Sequence, residues 1–152
     1  MKIKLYSLIV LLLPLSFCTK DNFDNLDYFA FGDAHGFCLG NCANFFLIKD
    51  GDIYPDDMDR YYDSTLKFKS EALTTEKYEL ARTVIDCFPS YLLDHPNTTY
   101  GCPDCADQGG IHIEIMENGQ IKRWHFDTNI SNLPSKIRDY VQNIAVVLEQ
   151  LK

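Results

Sequence analysis

The sequence has little positive charge. It contains 14 lysines and arginines against 22 aspartates and glutamates, a formal net charge of −8 at pH 7. Proteins that bind nucleic acid neutralise phosphates with basic side chains, so this balance excludes nucleic acid as an expected partner. An acidic surface favours a basic protein partner instead, because opposite potentials steer association.

Recognisable catalytic motifs are also missing. The sequence contains no GxSxG, no HExxH, no glycine-rich loop that would cradle a phosphate, and no evident Ser/His/Asp arrangement. Internal repeats and heptad arrays are absent as well. We therefore predict that the protein is not an enzyme and holds no resident cofactor.

Long hydrophobic runs are scarce. The one substantial run extends from Leu5 to Leu15 behind Lys2 and Lys4. A helix needs about 17 to 25 apolar residues to cross a bilayer, so this shorter run is typical of an export signal. No small-residue cleavage site precedes Cys18, which makes Cys18 resemble the lipidated first residue of a bacterial lipoprotein. We predict an exported protein, anchored by lipid to the outer or inner membrane of a bacterial cell envelope.

The domain organisation follows from these signals. Residues 1–17 are predicted to be the signal peptide and the polar residues 18–25 a tether. Residues 26–152 have the size of one domain, long enough to bury a hydrophobic core.

Two turn signals organise the predicted sheet. Asp50-Gly51 and Asn118-Gly119 each favour a two-residue hairpin turn. Pairing across the second turn places Trp124 opposite Ile113 on an apolar side, and His125 opposite His112 on the other side. The predicted strands are 26–33, 44–49, 52–54, 65–69, 111–117 and 120–128.

Two amphipathic helices complete the prediction. The first is capped by Thr74 or Thr75 and ends or kinks near Pro89. The second begins around Pro134, and its apolar stripe consists of Ile137, Val141, Ile144, Leu148 and Leu151. The expected fold is α+β, with an antiparallel sheet of five or six strands in the order ββββαββα and both helices on one face. The other face would be left open.

Several segments of the chain look familiar together. They are GFCLGNC at 36–42, FFLIKDGDIYPDD at 45–57, YGCPDCADQGGIHIEI at 100–115 and LPSKI at 133–137. This combination resembles an uncharacterised family of small lipoproteins from Bacteroidota-type bacteria. The resemblance implies a lipid anchor and a single domain, and it supplies no activity.

The cysteines carry the main chemical question. Five of the six follow Cys18, so at least one would be unpaired, and Cys87 on an apolar helix face is predicted to be that free core thiol. The other four form a CxxxC and a CxxC: Cys38, Cys42, Cys102 and Cys105. We expect their sulfurs to meet at one end of the sheet. Disulfides are the preferred interpretation for an exported protein, and cross-pairing the two loops would constrain the unfolded chain most.

Two alternatives to disulfides stay open. Both spacings also suit a Cys₄ metal site, for which Zn²⁺ is the expected ion. Thiol redox chemistry at Cys102 and Cys105 is the other alternative, although such a site needs a helix start, and Gly109-Gly110 and a hairpin follow here.

Three histidines are weaker candidates for metal ligands. His112 and His125 are predicted to be cross-strand neighbours, close enough to share an ion. His35 lies near Cys38 in the sequence and could join a metal cluster.

The predicted function follows largely from these absences. We expect a lipid-anchored, non-enzymatic binding or inhibitor-like module that grips an unknown, basic protein partner through the open sheet face or the two cysteine loops. The alternative is a metal-binding or thiol-redox envelope protein built on the two cysteine loops.

Overall fold

A computed structural model describes Phe23, residues 26–61 and residues 65–152. Within these residues the chain forms an α+β fold, as predicted. Its elements in chain order are β1 (Leu26–Ala34), β2 (Ala43–Lys49), β3 (Asp52–Pro55), α1 (Thr75–Asp86), α2 (Ser90–Leu93), β4 (Thr98–Tyr100), β5 (Gly110–Glu117), β6 (Gln120–Asp127), a 3₁₀ turn (Ile130–Asn132) and α3 (Ser135–Leu151).

The six strands form one sheet in the order β3-β2-β1-β5-β6-β4. Every neighbouring pair is antiparallel except β4 and β6, which run parallel. The sheet is therefore mixed, and the prediction of a purely antiparallel sheet was wrong at this edge. The chain reaches β4 from α2 rather than through a hairpin, so no tight turn imposes the antiparallel direction.

Both predicted hairpin turns are present. The backbone φ angles are 53° at Asp50 and 87° at Gly51, and 51° at Asn118 and 72° at Gly119. Positive φ at both central residues is the requirement of a type I′ turn. The register of β5 and β6 is the predicted one: Ile111 pairs with Phe126, His112 with His125, Ile113 with Trp124 and Glu114 with Arg123.

The core lies between the sheet and the helices. Trp124 is fully buried there, and its indole N–H donates to the carbonyls of Leu92 (3.1 Å) and His95 (2.8 Å). All five predicted stripe residues of α3 are buried as well. The predicted cap is correct, because the side chain of Thr74 accepts from the backbone N–H of Lys77.

The predicted order of elements was wrong in one respect. Residues 65–69 do not form a fourth strand before α1; Phe68 makes only an isolated bridge to Asp56. The side chains of Leu66 and Phe68 instead pack against Phe45, on the sheet face opposite the helices. Pairing with the end of β3 stops at this bridge, where the N–H of Asp57 donates to the Lys67 carbonyl and the N–H of Lys69 to the Pro55 carbonyl. The sequence patterns also missed α2 and β4, which span only four and three residues.

The N-terminal predictions fall mostly beyond the described residues. The signal peptide, Cys18 and all of the tether except Phe23 lie outside them. The ring of Phe23 packs edge-on against Phe88, with 5.2 Å between ring centroids. Among the described residues, no helix combines the length and hydrophobicity that a membrane span needs.

Candidate functional site

The sheet face opposite the helices, which we call the second face, was predicted to be open. It is instead covered by the chain. The ring of Phe45 lies on this face directly over Gly32, because a glycine has no side chain to occupy that space. The chain after β3 then folds back over this face, and its apolar side chains pack with Phe45, Ala34 and Ala43: Met58, Tyr61, Leu66 and Phe68.

A histidine pair lies beside this cover. His112 and His125 are both half-buried, and their Nδ1 atoms are 3.1 Å apart. The rings of Phe45 and Tyr61 contact the ring of His112, with centroids 5.8 and 5.1 Å away. Burial lowers the pKa of His112 to about 3, and the pKa of His125 is also lowered by burial. The predicted neighbourhood of the two imidazoles is confirmed.

An ion pair follows the histidines along the same face. Glu114 is 6% exposed; it accepts from the Arg123 Nε–H at 2.6 Å and from the Tyr28 hydroxyl at 2.5 Å. Burial and the neighbouring carboxylate raise the pKa of Tyr28, and the bond to Glu114 raises the pKa of Arg123. The buried carboxylate is therefore satisfied on both oxygens, as a buried charge requires.

The four loop cysteines form local disulfides. Cys38 bonds to Cys42 and Cys102 to Cys105, with Cα atoms 5.8 and 5.5 Å apart. Each bridge closes within its own loop, so the cross-pairing that would constrain the unfolded chain most is not adopted. Cys87 is disulfide-bonded as well, which contradicts the prediction of a free core thiol.

The two cysteine loops meet at one end of the sheet. The carboxylate of Asp104 accepts from the backbone N–H of Gly36 (2.7 Å) and of Gly109 (2.9 Å). This carboxylate joins the first loop to the second. The loops are therefore in contact, and each sulfur bonds to the near one in sequence; the expected meeting of all four sulfurs stays a prediction. His35 contacts Asp33 at 3.5 Å and lies against Gly109, and its backbone N–H donates to the carbonyl of Cys42 at 2.9 Å.

Asp127, at the end of β6, holds the loop that contains Cys102 and Cys105. The sequence analysis did not identify this residue. It is 2% exposed and accepts from the backbone N–H of Cys102 (3.0 Å) and Asn129 (2.8 Å) and from the side chain of Asn132 (2.7 Å). The bond from Asn132, with those two backbone bonds, lowers the pKa of Asp127. An Asp that accepts from the backbone N–H two residues later forms an Asx turn. The sequence permits this turn after β6, but the same pattern is common in loops that bind nothing.

The cysteine loops do not resemble a thiolate site. Disulfide sulfurs are not thiolates, which are the species that bind Zn²⁺ or attack a disulfide. The carboxylate of Asp127 accepts from the backbone N–H of Cys102, and a negative charge close to a cysteine disfavours its thiolate. Within the described residues, no group of three or more His, Cys, Asp or Glu side chains is placed to hold a metal ion.

The most exposed apolar side chains of the described residues also lie on the first cysteine loop. Phe37 is 83% exposed and Leu39 100% exposed, on either side of Cys38. The Arg60 guanidinium donates to the carbonyl of Cys38 at 3.0 Å. The loop is therefore held by a disulfide, by Arg60 and by Asp104 while its two large apolar side chains face solvent. Hydrophobic patterning did not single out these residues.

No protein-family model matches the chain, and no curated protein matches it.

Proposed function

We propose that the protein is an exported, lipid-anchored and non-enzymatic binding module whose cysteine-loop end contacts a protein partner. The observation that carries the proposal is the exposure of Phe37 and Leu39 on a loop closed by the Cys38–Cys42 disulfide. We call the segment from Gly36 to Cys42 the apolar loop. An inhibitor-like role, in which this loop occupies a partner's cleft, fits that arrangement.

The energetics favour the apolar loop as a binding element. Large apolar side chains that enter a partner's pocket typically dominate the binding free energy of an interface. Ordering a flexible loop costs free energy on association, and a loop held rigid beforehand avoids most of that cost. The disulfide and the bond from Arg60 to Cys38 supply this rigidity.

The surroundings of the apolar loop define the partner's chemistry. Asp59 is exposed, and its backbone carbonyl accepts from the N–H of Cys42 at 2.7 Å, so it lies at the loop's edge. Asp107 is exposed on the neighbouring cysteine loop. Of the cations near the loop, Arg60 donates to the loop itself and Lys152 donates to Glu149. The matching surface is an apolar pocket rimmed by lysines or arginines on a basic protein.

Site-specific photo-crosslinking in the native envelope tests the proposed interface. A photoreactive residue at position 37 or 39 is expected to capture one discrete protein. The same residue at position 146 is the matched control, because Val146 is 50% exposed on α3. Added unlabelled protein should compete with the capture, and protein with Phe37→Ala and Leu39→Ala should not compete.

Three outcomes would contradict this interface. They are equal capture from position 146, competition by the double variant, and crosslinks only to lipid. Crosslinks to a second copy of the chain would replace the proposed partner with self-association.

The anchor is tested separately at Cys18. Cys18→Ser should release the protein from the membrane or leave its precursor unprocessed. Lipidation occupies the cysteine sulfur, so a lipidated Cys18 cannot also take part in a disulfide. Mass analysis of the N-terminal peptide should find the lipid on Cys18. A Cys18→Ser variant that stays membrane-bound after normal processing would contradict the anchor and leave the loop interface untouched.

A further inference from the structure

The histidine pair is the feature that the proposed function leaves unused. His112 in β5 and His125 in β6 are directly paired, and both rings stand on the sheet face opposite the helices. Their Nδ1 atoms are 3.1 Å apart, and both side chains are half-buried. The pair thus presents two nitrogen ligands from two rigid strands.

The spacing of the two nitrogens suits one shared ion. Imidazole nitrogens bind Zn²⁺ at about 2.0 to 2.1 Å. Two such nitrogens on one ion lie roughly 2.8 to 3.4 Å apart for bond angles between square-planar and tetrahedral. We propose that His112 and His125 form a two-nitrogen site for a divalent transition-metal ion of the Cu²⁺ or Zn²⁺ type, with water in the remaining positions.

Binding requires a change of tautomer and no net loss of a proton. In the present geometry one Nδ1–H donates to the other Nδ1, so one ring carries its proton on Nδ1 and the other on Nε2. Metal binding leaves both Nδ1 atoms unprotonated, and the first ring then carries its proton on Nε2. Burial lowers the pKa of both histidines, which favours the neutral rings that bind a metal ion.

The neighbouring charges and rings support the site. Arg123 lies next to His125 and opposes a cation, but its charge is balanced by Glu114 at 2.6 Å. The negative charge of Asp104 attracts a positive charge at His112, so it favours a bound cation there. The rings of Phe45 and Tyr61 limit the motion of the His112 ring, so little ordering is needed on binding.

Calorimetric titration of the full chain with CuCl₂ and with ZnCl₂ tests the site. The chain is purified without a histidine tag. We expect one ion per chain, with Cu²⁺ binding more tightly than Zn²⁺. His125→Gln should weaken binding at least tenfold, while the matched control His95→Gln should leave it unchanged. The electron paramagnetic resonance spectrum of the Cu²⁺ complex should show coupling to two imidazole nitrogens.

The design separates ligation from folding. His125→Gln is the primary variant because His112 is enclosed by two more rings, and circular dichroism checks that the variant is folded. Equal Cu²⁺ affinity of the parent, His125→Gln and His95→Gln would overturn the site and place the ion elsewhere, for example at the terminal amine. Absence of 1:1 binding at about 0.1 mM metal, a concentration that half-fills a site with a Kd of about 0.1 mM, would also overturn it. Phe37→Ala leaves the metal site intact, so the two proposals fail independently.

Discussion

The two faces of the same sheet differ in what their side chains do. On β5, Ile111, Ile113 and Ile115 point to the helices and are buried in the core. The alternate residues His112 and Glu114 point to the other face, where they meet His125 and Arg123. The centre of the helix-covered face is apolar, whereas the second face combines an aromatic cover with a histidine pair and an ion pair.

The difference separates folding from chemistry. Burial of apolar surface under the helices supplies most of the stabilising free energy. The second face has less apolar surface to bury, and its buried polar groups are satisfied by one another. Substitutions on the first face should therefore change stability, and substitutions on the second should change the response to pH or to a ligand.

The largest effect should come from the helix-covered face. Trp124→Ala removes the largest fully buried side chain and its two N–H contacts to carbonyls. We expect a loss of about 3 to 5 kcal/mol in the free energy of unfolding, measured by chemical denaturation. The control Ile121→Ala, at an exposed position of the same strand, should cost less than about 0.5 kcal/mol. If Trp124→Ala lowers the free energy of unfolding by less than about 1 kcal/mol, the assignment of the two faces is contradicted.

The second effect belongs to the histidine face and depends on pH. Burial lowers the pKa of His112 to about 3 in the folded protein, against an ordinary value of 6.5, so between these pH values only the unfolded chain binds the proton. This contribution to stability is complete above pH 6.5 and is lost progressively as the pH falls towards 3. From pH 7 to pH 5 we expect the unfolding free energy to drop by about 2 kcal/mol.

His112→Gln tests the assignment of this pH dependence. The variant removes the titrating group, so its unfolding free energy should change less over the same pH interval, whatever its absolute stability. Denaturation curves at pH 7, 6 and 5 measure the slope. An unchanged slope in the variant would assign the pH dependence to other groups.

A smaller effect is expected at the cysteine loops. A disulfide that closes only a few residues restricts the unfolded chain little, so replacing Cys102 and Cys105 with Ser should cost about 1 to 2 kcal/mol. Peptide mapping under non-reducing conditions, with free thiols blocked, should recover Cys38 joined to Cys42 and Cys102 joined to Cys105. Recovery of a bridge between the loops would contradict the local pairing.

The smallest effect on stability belongs to the apolar loop. Phe37→Ala and Leu39→Ala remove side chains that face solvent, so thermal unfolding should give stabilities within about 0.5 kcal/mol of the parent. The same variants should lose capture of the partner. A clear loss of stability would show that these side chains pack against the domain, and it would remove the reason to regard them as binding anchors.

Much of the sheet was predictable because its determinants are local. Asp50-Gly51 and Asn118-Gly119 form the turns that their sequences favour, and the second turn sets the register that brings His112 opposite His125. The stripe of α3 was readable for the same reason, since helical periodicity alone shows which residues share a face. These features depend on residues a few positions apart.

Residues 65–69 show where local patterns fail. Their alternation is that of a strand with one polar face, yet Leu66 and Phe68 pack against Phe45 on the second face. The choice between extending the sheet and covering it depends on what else is available to bury Phe45. Alternation within a segment carries no information about that competition.

By itself, the sequence determined the acidic charge, the α+β class, the turns, the register of the last hairpin and the stripe of α3, because these depend on composition or on neighbours along the chain. Only the tertiary structure decided the parallel β4, the cover over the second face, the local pairing of the cysteines and the joining of the two loops by Asp104. Those features depend on which distant groups can approach closely enough to pack, form a disulfide or accept a hydrogen bond, and spacing along the chain does not encode that distance.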